Sequence, residues 1–207
     1  ISAVGFNGDF HALMTRTIPD LHLTGDSSCF PLLTYQTDVD NQNSLFDQIE
    51  SNEQRLNLSE EIVSLCKRKF DNKLKSSKDI FYYVYGILHN KDYKSAFKND
   101  LKKEIARIPL VEDSKKFNAY VTAGRELADL HVEYESIEPW PDLDIQYSDG
   151  WNAKHEGAYR VQKMRYAKNG KETDLTTIIF NSKITIAGIP EQAHDYRLGS
   201  RSAIDWI

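Results

Sequence analysis

Six cations, Lys154, Arg160, Lys163, Arg165, Lys168 and Lys171, lie between Trp151 and Lys171 with Glu156 as the one acid among them, a local charge of +5. Lysine and arginine at that density suit either contact with phosphate oxygens or a solvated surface face. The 207-residue chain carries a net charge of -5, so everything outside this window sums to -10. A chain of that balance does not coat nucleic acid through bulk electrostatics, and its charge is instead strongly segregated. From Glu126 to Asp149 there are eight acids and no Lys or Arg. A second basic stretch, Lys67, Arg68, Lys69, Lys73, Lys75 and Lys78, is offset by Asp71.

Patterns for catalysis are incomplete in this chain. Gly170-Lys171 is followed by Glu172, so it is not the Gly-Lys-Ser/Thr of a nucleotide-phosphate loop. Glu138-Pro139-Trp140-Pro141 lacks the amide and paired prolines that hold a target nitrogen in an amino-methyltransferase, and it reads as a rigid linker. Asp100-Leu101-Lys102 and Asp113-Ser114-Lys115 match the acid-x-Lys triplet of a metal nuclease but fall on or beside helices, where two carboxylates do not share a metal as they do on adjacent strands. His22 with Asp20 and Asp26, or Ser27, Ser28 and Cys29, can be drawn as clusters, yet neither supplies a nucleophile elbow or an ordered base. No metal-ligand spacing occurs, and His131, on an apolar helical face, reads as a satisfied core histidine. The expected assignment is no catalytic residue and no metal ligand in this chain.

The elements that must position the basic residues follow from periodicity. With 40% hydrophobic residues and 23 aromatics the chain can bury a sizeable core, in one large domain or two small ones. The longest apolar runs, such as Ile178-Ile179-Phe180, fall far short of the ~18 residues of a membrane span. Cys29 and Cys66 suggest no disulfide framework, which fits a reducing, cytoplasmic compartment. The expected fold is α+β. Residues 1 to 37, with Phe30-Pro31-Leu32-Leu33-Thr34-Tyr35, read as a β segment continuing from an upstream portion, and 38 to 56 as an exposed connection. Residues 57 to 138 read as a helical region of about four helices. The first starts at Asn57-Leu58-Ser59-Glu60 and the second at Ser76-Ser77-Lys78-Asp79; the third carries Tyr93, Phe97, Leu101 and Ile105 up to Ile108-Pro109. The fourth follows the stripe Phe117, Tyr120, Val121, Gly124, Leu127, Ala128 and His131, on which Gly124 admits a close backbone. Residues 139 to 207 read as a β-meander region with a terminal helix start. Its three antiparallel strands begin at Tyr159 to Tyr166, turn at Asn169-Gly170, return through Thr176 to Phe180 and end with Lys183 to Ala187.

Three strings together are more specific than any triplet: Ile18-Pro19-Asp20-Leu21-His22-Leu23 running to Cys29-Phe30-Pro31-Leu32; Asp79-Ile80-Phe81-Tyr82-Tyr83-Val84-Tyr85-Gly86-Ile87-Leu88-His89; and Ile184-Thr185-Ile186-Ala187-Gly188-Ile189-Pro190. They resemble the C-terminal specificity region of type ISP restriction-modification enzymes, as do Arg107-Ile108-Pro109, Gly124 to His131 and the closing Ser202 to Ile207. The resemblance implies the target recognition part of a long bacterial polypeptide that also joins a nuclease, a helicase-like ATPase and an N6-adenine methyltransferase. Mg, ATP and S-adenosylmethionine chemistry is then expected upstream of Ile1, with no cofactor in this portion. The implied partners are double-stranded DNA and the upstream methyltransferase and helicase domains, with no membrane.

On that reading the basic hairpin is the first candidate for DNA contact, since a two-stranded ribbon can enter a major groove. Lys168 and Lys171 are expected on phosphates, and Asn169 is either the turn former or a base reader. On an unbroken strand Arg165 groups with Lys163, whereas Arg160 points to the other face. Lys67, Arg68 and Lys73 form a second candidate surface. The competing expectation is a scaffold that packs on the methyltransferase and helicase portions and reads no bases.

Overall fold

Four helices occupy the middle of the chain because four stretches bring apolar side chains to one face at helical spacing, and each is opened by a polar residue that satisfies its free amides. The computed structural model describes residues 2–3, 10–20, 28–35, 54–70 and 74–206. The chain divides into two units, Ile1–Tyr134 and Glu135–Ile207. Together they make the mixed α+β architecture expected from the sequence.

In the first unit, two short antiparallel pairs precede and flank the helices: β1 (Ser2–Ala3) with β2 (His11–Ala12), and β3 (Leu33–Tyr35) with β4 (Gln54–Leu56). The connection expected over 38 to 56 therefore ends in strand, and its residues 38 to 53 lie outside the described residues. Asn57 fastens the β3–β4 pair, donating its backbone N–H to Leu32 O at 2.9 Å and its Nδ2 to Pro31 O at 3.0 Å. The cap of α1 (Glu60–Lys69) is Ser59, whose Oγ accepts from Ile62 N.

The second helix, α2 (Lys78–His89), is opened reciprocally. Ser76 Oγ accepts from Lys78 N, while Asp79 Oδ2 reaches back to the amides of Lys75 and Ser76, each at 3.0 Å. The other oxygen of the buried Asp79 accepts from Arg125 Nη2 at 2.8 Å, and the same guanidinium lies 4.2 Å from the centre of the Tyr82 ring.

The long helix α4 (Ser114–Val132) buries Phe117, Val121, Gly124 and Ala128, four members of the predicted stripe. It packs on α2 through two glycines. A methyl group built on Gly124 would stand 2.0 Å from Tyr82 O, and one on Gly86 would stand 2.5 Å from Tyr120 O, so neither helix tolerates a side chain at the crossing. Around it, the Tyr83 ring stacks 4.6 Å from Phe117. The Tyr83 hydroxyl donates to Pro109 O and accepts from Val111 N, which pins the segment that leads into α4.

The third helix is shorter than its periodicity predicts. α3 (Lys91–Ala96) stops at Phe97, and the residues through Lys103 continue as turns. Asn99 and Asp100 interrupt the run with two poor helix formers whose side chains compete for the backbone. Tyr93 and Leu101 are nevertheless buried whereas Phe97 and Ile105 are exposed, so the four-residue spacing reported half of the core contacts and not the conformation.

The second unit is built on one antiparallel sheet, in the order β5 (Asp144–Tyr147), β8 (Ile184–Ala187), β7 (Glu172–Ile179), β6 (Arg165–Asn169). The expected three-strand meander is present as β6, β7 and β8, and β5 adds a fourth strand along β8. Tyr159 to Met164 are not strand, which corrects the expected start of the meander. Ile184, the first residue of β8, and Ile189, just beyond that strand, are buried. A small pair, β9 (Arg197–Leu198) and β10 (Arg201–Ser202), precedes a closing 3-10 turn at Ile204–Trp206. Asp205 ties that turn to the sheet: it exchanges hydrogen bonds with Ser202 and accepts from the Tyr166 hydroxyl at 2.8 Å.

Candidate functional site

The basic window divides into a hairpin tip and a loop. At the tip, Asn169 pairs with Glu172, so Gly170 and Lys171 are the two central turn residues, and Gly170 supplies the positive φ of 65° that the first of them requires. Asn169 is thus the last residue of β6 and not a turn centre, a correction to the expected Asn-Gly turn. The return strand sets Glu172 across from Asn169 and Asp174 across from Ala167. Lys168 pairs instead with Thr173 and so shares the other face of the ribbon, but the positive charge counted up to Lys171 is offset in sum by the two acids immediately after it.

A register shift between Tyr166 and Ala167 bulges β7 between Asp174 and Ile178. Asp174 Oδ1 holds the bulge by accepting from Thr176 N and Oγ1 at 2.9 and 2.6 Å; these bonds lower its carboxyl pKa. The hairpin is therefore a shaped ribbon with a kink in it.

The loop from Ser148 to Met164 carries the remaining cations. It is a chain of turns in which Trp151 N donates to Ser148 O, His155 N to Asn152 O, Ala158 N to His155 O and Arg160 N to Gly157 O, with Gly150 and Gly157 at positive φ. Arg160 and Lys163 therefore lie outside any strand, and the strand-parity argument that grouped Lys163 with Arg165 does not apply to them. Arg165 opens β6.

Asn181 organises this loop. Buried to 8% exposure, it donates through Nδ2 to Ala158 O and Arg160 O at 3.3 and 3.2 Å. Its Oδ1 accepts from Lys183 N and Ile184 N at 2.8 and 2.9 Å. Both ends of one carboxamide are thus engaged, half in the loop and half at the start of β8. An aromatic stack supports the same loop, with Trp151 4.0 Å from Tyr147 and 5.5 Å from Tyr159 between ring centres. Asn181 escapes a sequence reading because an Asn-Ser pair between two strands looks like an ordinary turn. The one available signal is that an amide there can bond the backbone two and three residues on.

Between the loop and β8 lies a polar cleft of about 290 Å³, lined by Asn152, Arg160, Gln162 and Lys183 among others. The buried indole Nε1 of Trp151, also on this cleft, has no hydrogen-bond partner among the described residues. From Ser148 to Arg165, with Lys183, five cations (Lys154, Arg160, Lys163, Arg165, Lys183) face two acids (Asp149, Glu156), a net of +3. The second unit therefore offers a rigid, cationic, amide-bearing surface.

The other predicted residues lie in the first unit. Lys67 and Arg68 are exposed in the last turn of α1, where cations complement the helix dipole, and Lys73 lies outside the described residues. Lys69 turns inward, with Nζ 3.5 Å from both Leu110 O and Glu112 Oε2. Asp113 of the second acid-x-Lys triplet caps α4 by accepting from Lys116 N at 2.8 Å. His22 lies outside the described residues. His131 accepts or donates at Nδ1 against the Tyr85 hydroxyl, as a core histidine should. It belongs to a histidine cluster with His89, 5.7 Å away between ring centres, and the buried His11. Among the described residues no group of three or more His, Cys, Asp or Glu is placed to hold a metal ion. Nor is any described helix long and apolar enough to cross a membrane.

Fold and site define an α+β module in which a helical unit with a tightly crossed core accompanies an antiparallel sheet that displays a polar, cationic loop. The chain belongs to the Type ISP C-terminal specificity domain family, whose model matches residues 1–207. Among solved structures it is similar to a nuclease-deletion mutant of the Type ISP restriction-modification enzyme LlaGI in complex with a DNA substrate mimic, at 34% identity and a TM-score of 0.68, covering 99% of this chain and 16% of that one. It is similar to the ATP-dependent Type ISP restriction-modification enzyme LlaBIII bound to DNA, at 33% identity and a TM-score of 0.71, covering 95% and 12%. It also resembles the DrdV–DNA complex, at 25% identity and a TM-score of 0.79, covering 99% and 19%. The chain spans less than a fifth of each of these proteins. No curated protein matches it.

Proposed function

We propose that this chain is the DNA target-recognition module of a bacterial restriction-modification enzyme, and that the second unit carries its main DNA contact. The observation that carries the reading is the cationic loop from Ser148 to Arg165, ordered by Asn181 and continuous with the β6–β7 ribbon, in a member of a specificity-domain family whose solved relatives are DNA complexes. Phosphate contacts from Lys154, Lys163, Arg165, Lys168, Lys171 and Lys183 position the duplex, and base-edge contacts specify it. Lys67, Arg68 and Lys73 are a further cationic segment available to the backbone. Nuclease, ATPase and methyl-transfer steps, with their Mg, ATP and S-adenosylmethionine, belong on this reading to other portions of the full-length protein.

The test is the salt dependence of DNA binding by the full-length protein. Alanine at Lys154, Lys163 and Arg165 together is expected to weaken binding and to reduce the slope of log K against log salt by roughly 0.9 for each phosphate that is no longer neutralised. An unchanged affinity and slope would move the DNA-binding surface away from the second unit.

One observation favours an added scaffolding role for the first unit. Ile18, Phe30, Leu33 and Tyr35 are exposed around an apolar groove of about 950 Å³, a larger feature than scattered surface hydrophobics produce. The linked methyltransferase and helicase portions are the proposed cover. Band shifts with cognate and scrambled duplexes separate recognition from pure scaffolding, since a scaffold that reads no bases does not distinguish them.

A further inference from the structure

Resting on the DNA-recognition reading, we infer that the loop from Ser148 to Met164 is the base-reading element, with Gln162 and Arg160 as its specificity-determining side chains and Asn181 as the residue that positions them. The hairpin tip is the obvious competitor, but from Ala167 to Asp174 its two cations, Lys168 and Lys171, are matched by two acids, Glu172 and Asp174, so it carries no net charge and its role is to touch the backbone. The loop combines three properties that reading a groove requires.

First, it is pre-ordered. Four successive turns fix its backbone, the Asn181 carboxamide grips two of its carbonyls, and the Tyr147–Trp151–Tyr159 stack braces it. Little ordering entropy is then lost on binding.

Second, two of its polar side chains are uncommitted. Asn152 uses its Oδ1 to accept from Lys154 N within its own turn. Arg160 and Gln162 are exposed, and neither side chain has a hydrogen-bond or ion-pair partner among the described residues.

Third, the chemistry matches base edges. A guanidinium donates two hydrogen bonds to guanine O6 and N7, and a carboxamide pairs with adenine N6 and N7. Arg160 and Gln162 both line the cleft that Trp151 and Lys183 share, so a base step can meet both of them while Lys183 holds the adjacent phosphate. The inferred ligand is therefore a duplex step presenting a purine edge to each residue.

Gln162 gives the sharper test because it carries no charge. In the full-length protein, equilibrium binding is measured on the duplex that the wild type selects and on a scrambled duplex of the same length. Gln162→Ala is expected to weaken cognate binding by about 5- to 150-fold and to leave scrambled binding unchanged. Asn181→Asp keeps the acceptor used by Lys183 N and Ile184 N but removes both donors to the loop, and it is expected to lower the cognate-to-scrambled ratio in the same way. If Gln162→Ala retains the wild-type ratio, whether through no loss or through equal loss on both duplexes, the inference is overturned and the DNA-recognition reading stands. A wild type that binds both duplexes equally overturns that reading, and this inference with it.

Discussion

Asn181 donates its side-chain amide to the backbone carbonyl of Arg160 at 3.2 Å, across 21 residues of sequence and a whole antiparallel hairpin. The consequence is that the exposed cationic loop in the second unit is held from beneath by a residue at the start of the strand that returns to the sheet. Position, charge and rigidity of the loop are therefore set together, and the hairpin between them is the spacer that closes the circuit.

The helix crossing makes a prediction whose sign opposes propensity. Gly124→Ala gains about 1 kcal/mol in an isolated helix, yet here the added carbon meets Tyr82 O at 2.0 Å and Gly86 N at 2.8 Å. Net destabilisation of about 1–3 kcal/mol is expected, read as faster hydrogen exchange across α2 and α4 in the full-length protein. Gly150→Ala is the comparison: nothing lies within 4 Å of the new carbon, and the cost of about 1–2 kcal/mol arises from a φ of 74°. Exchange in α2 and α4 should not respond to it.

Burial, followed by repulsion from His131 and Lys94, lowers the His89 pKa from 6.5 to about 3, and a hydrogen bond to the Ala12 backbone only partly offsets this. Burial also lowers that of His131. A histidine held neutral in the fold takes up its proton when the chain unfolds. Its contribution to stability is therefore complete above pH 6.5 and declines as pH falls from there toward 3, by up to about 1.4 kcal/mol per pH unit. Denaturant unfolding at pH 7.5 and at pH 5 checks this, and His89→Phe is expected to flatten the difference.

Asp79 and Arg125 are not equivalent halves of their ion pair. Arg125→Ala removes one bond from a carboxylate that keeps two backbone donors, and is expected to cost about 1–2 kcal/mol. Asp79→Ala also uncaps α2 and leaves the Lys75 and Ser76 amides without an acceptor, so its cost should exceed that of Arg125→Ala by about 1 kcal/mol. Thermal unfolding of the two variants gives the order.

The helical half was legible in the sequence because its signals are local. The Phe117 to His131 stripe, the Ser76–Asp79 box and the packing role of Gly124 all depend on residues within one or two turns, and they appear where the spacing put them. The candidate site was legible only in part, because its organisation is non-local. Alternation from Tyr159 to Tyr166 mimics a strand, but Gly157 and the Asn181 clamp draw that backbone into turns. Likewise, a charge window ending at Lys171 misses Glu172 and Asp174, which belong to the same hairpin. The extent of the hairpin, and not the window, decides the net charge of the tip.

That charge balance yields a prediction for the tip. Lys168→Ala with Lys171→Ala removes cations from a tip that Glu172 and Asp174 bring to zero net charge, whereas Lys154→Ala with Lys163→Ala removes cations from the net-positive loop. The loop pair is expected to lower the salt slope of DNA binding more than the tip pair, and a larger effect from the tip would reverse the assignment.

The central claim is that this chain selects the DNA sequence on which its parent enzyme acts. Replacing the matching segment of LlaGI with residues 1–207 and sequencing the sites that the chimera modifies tests it most directly. The account predicts that the chimera abandons the sites of LlaGI and takes those of the protein from which this chain comes; a chimera that folds, stays active and keeps the sites of LlaGI would contradict it.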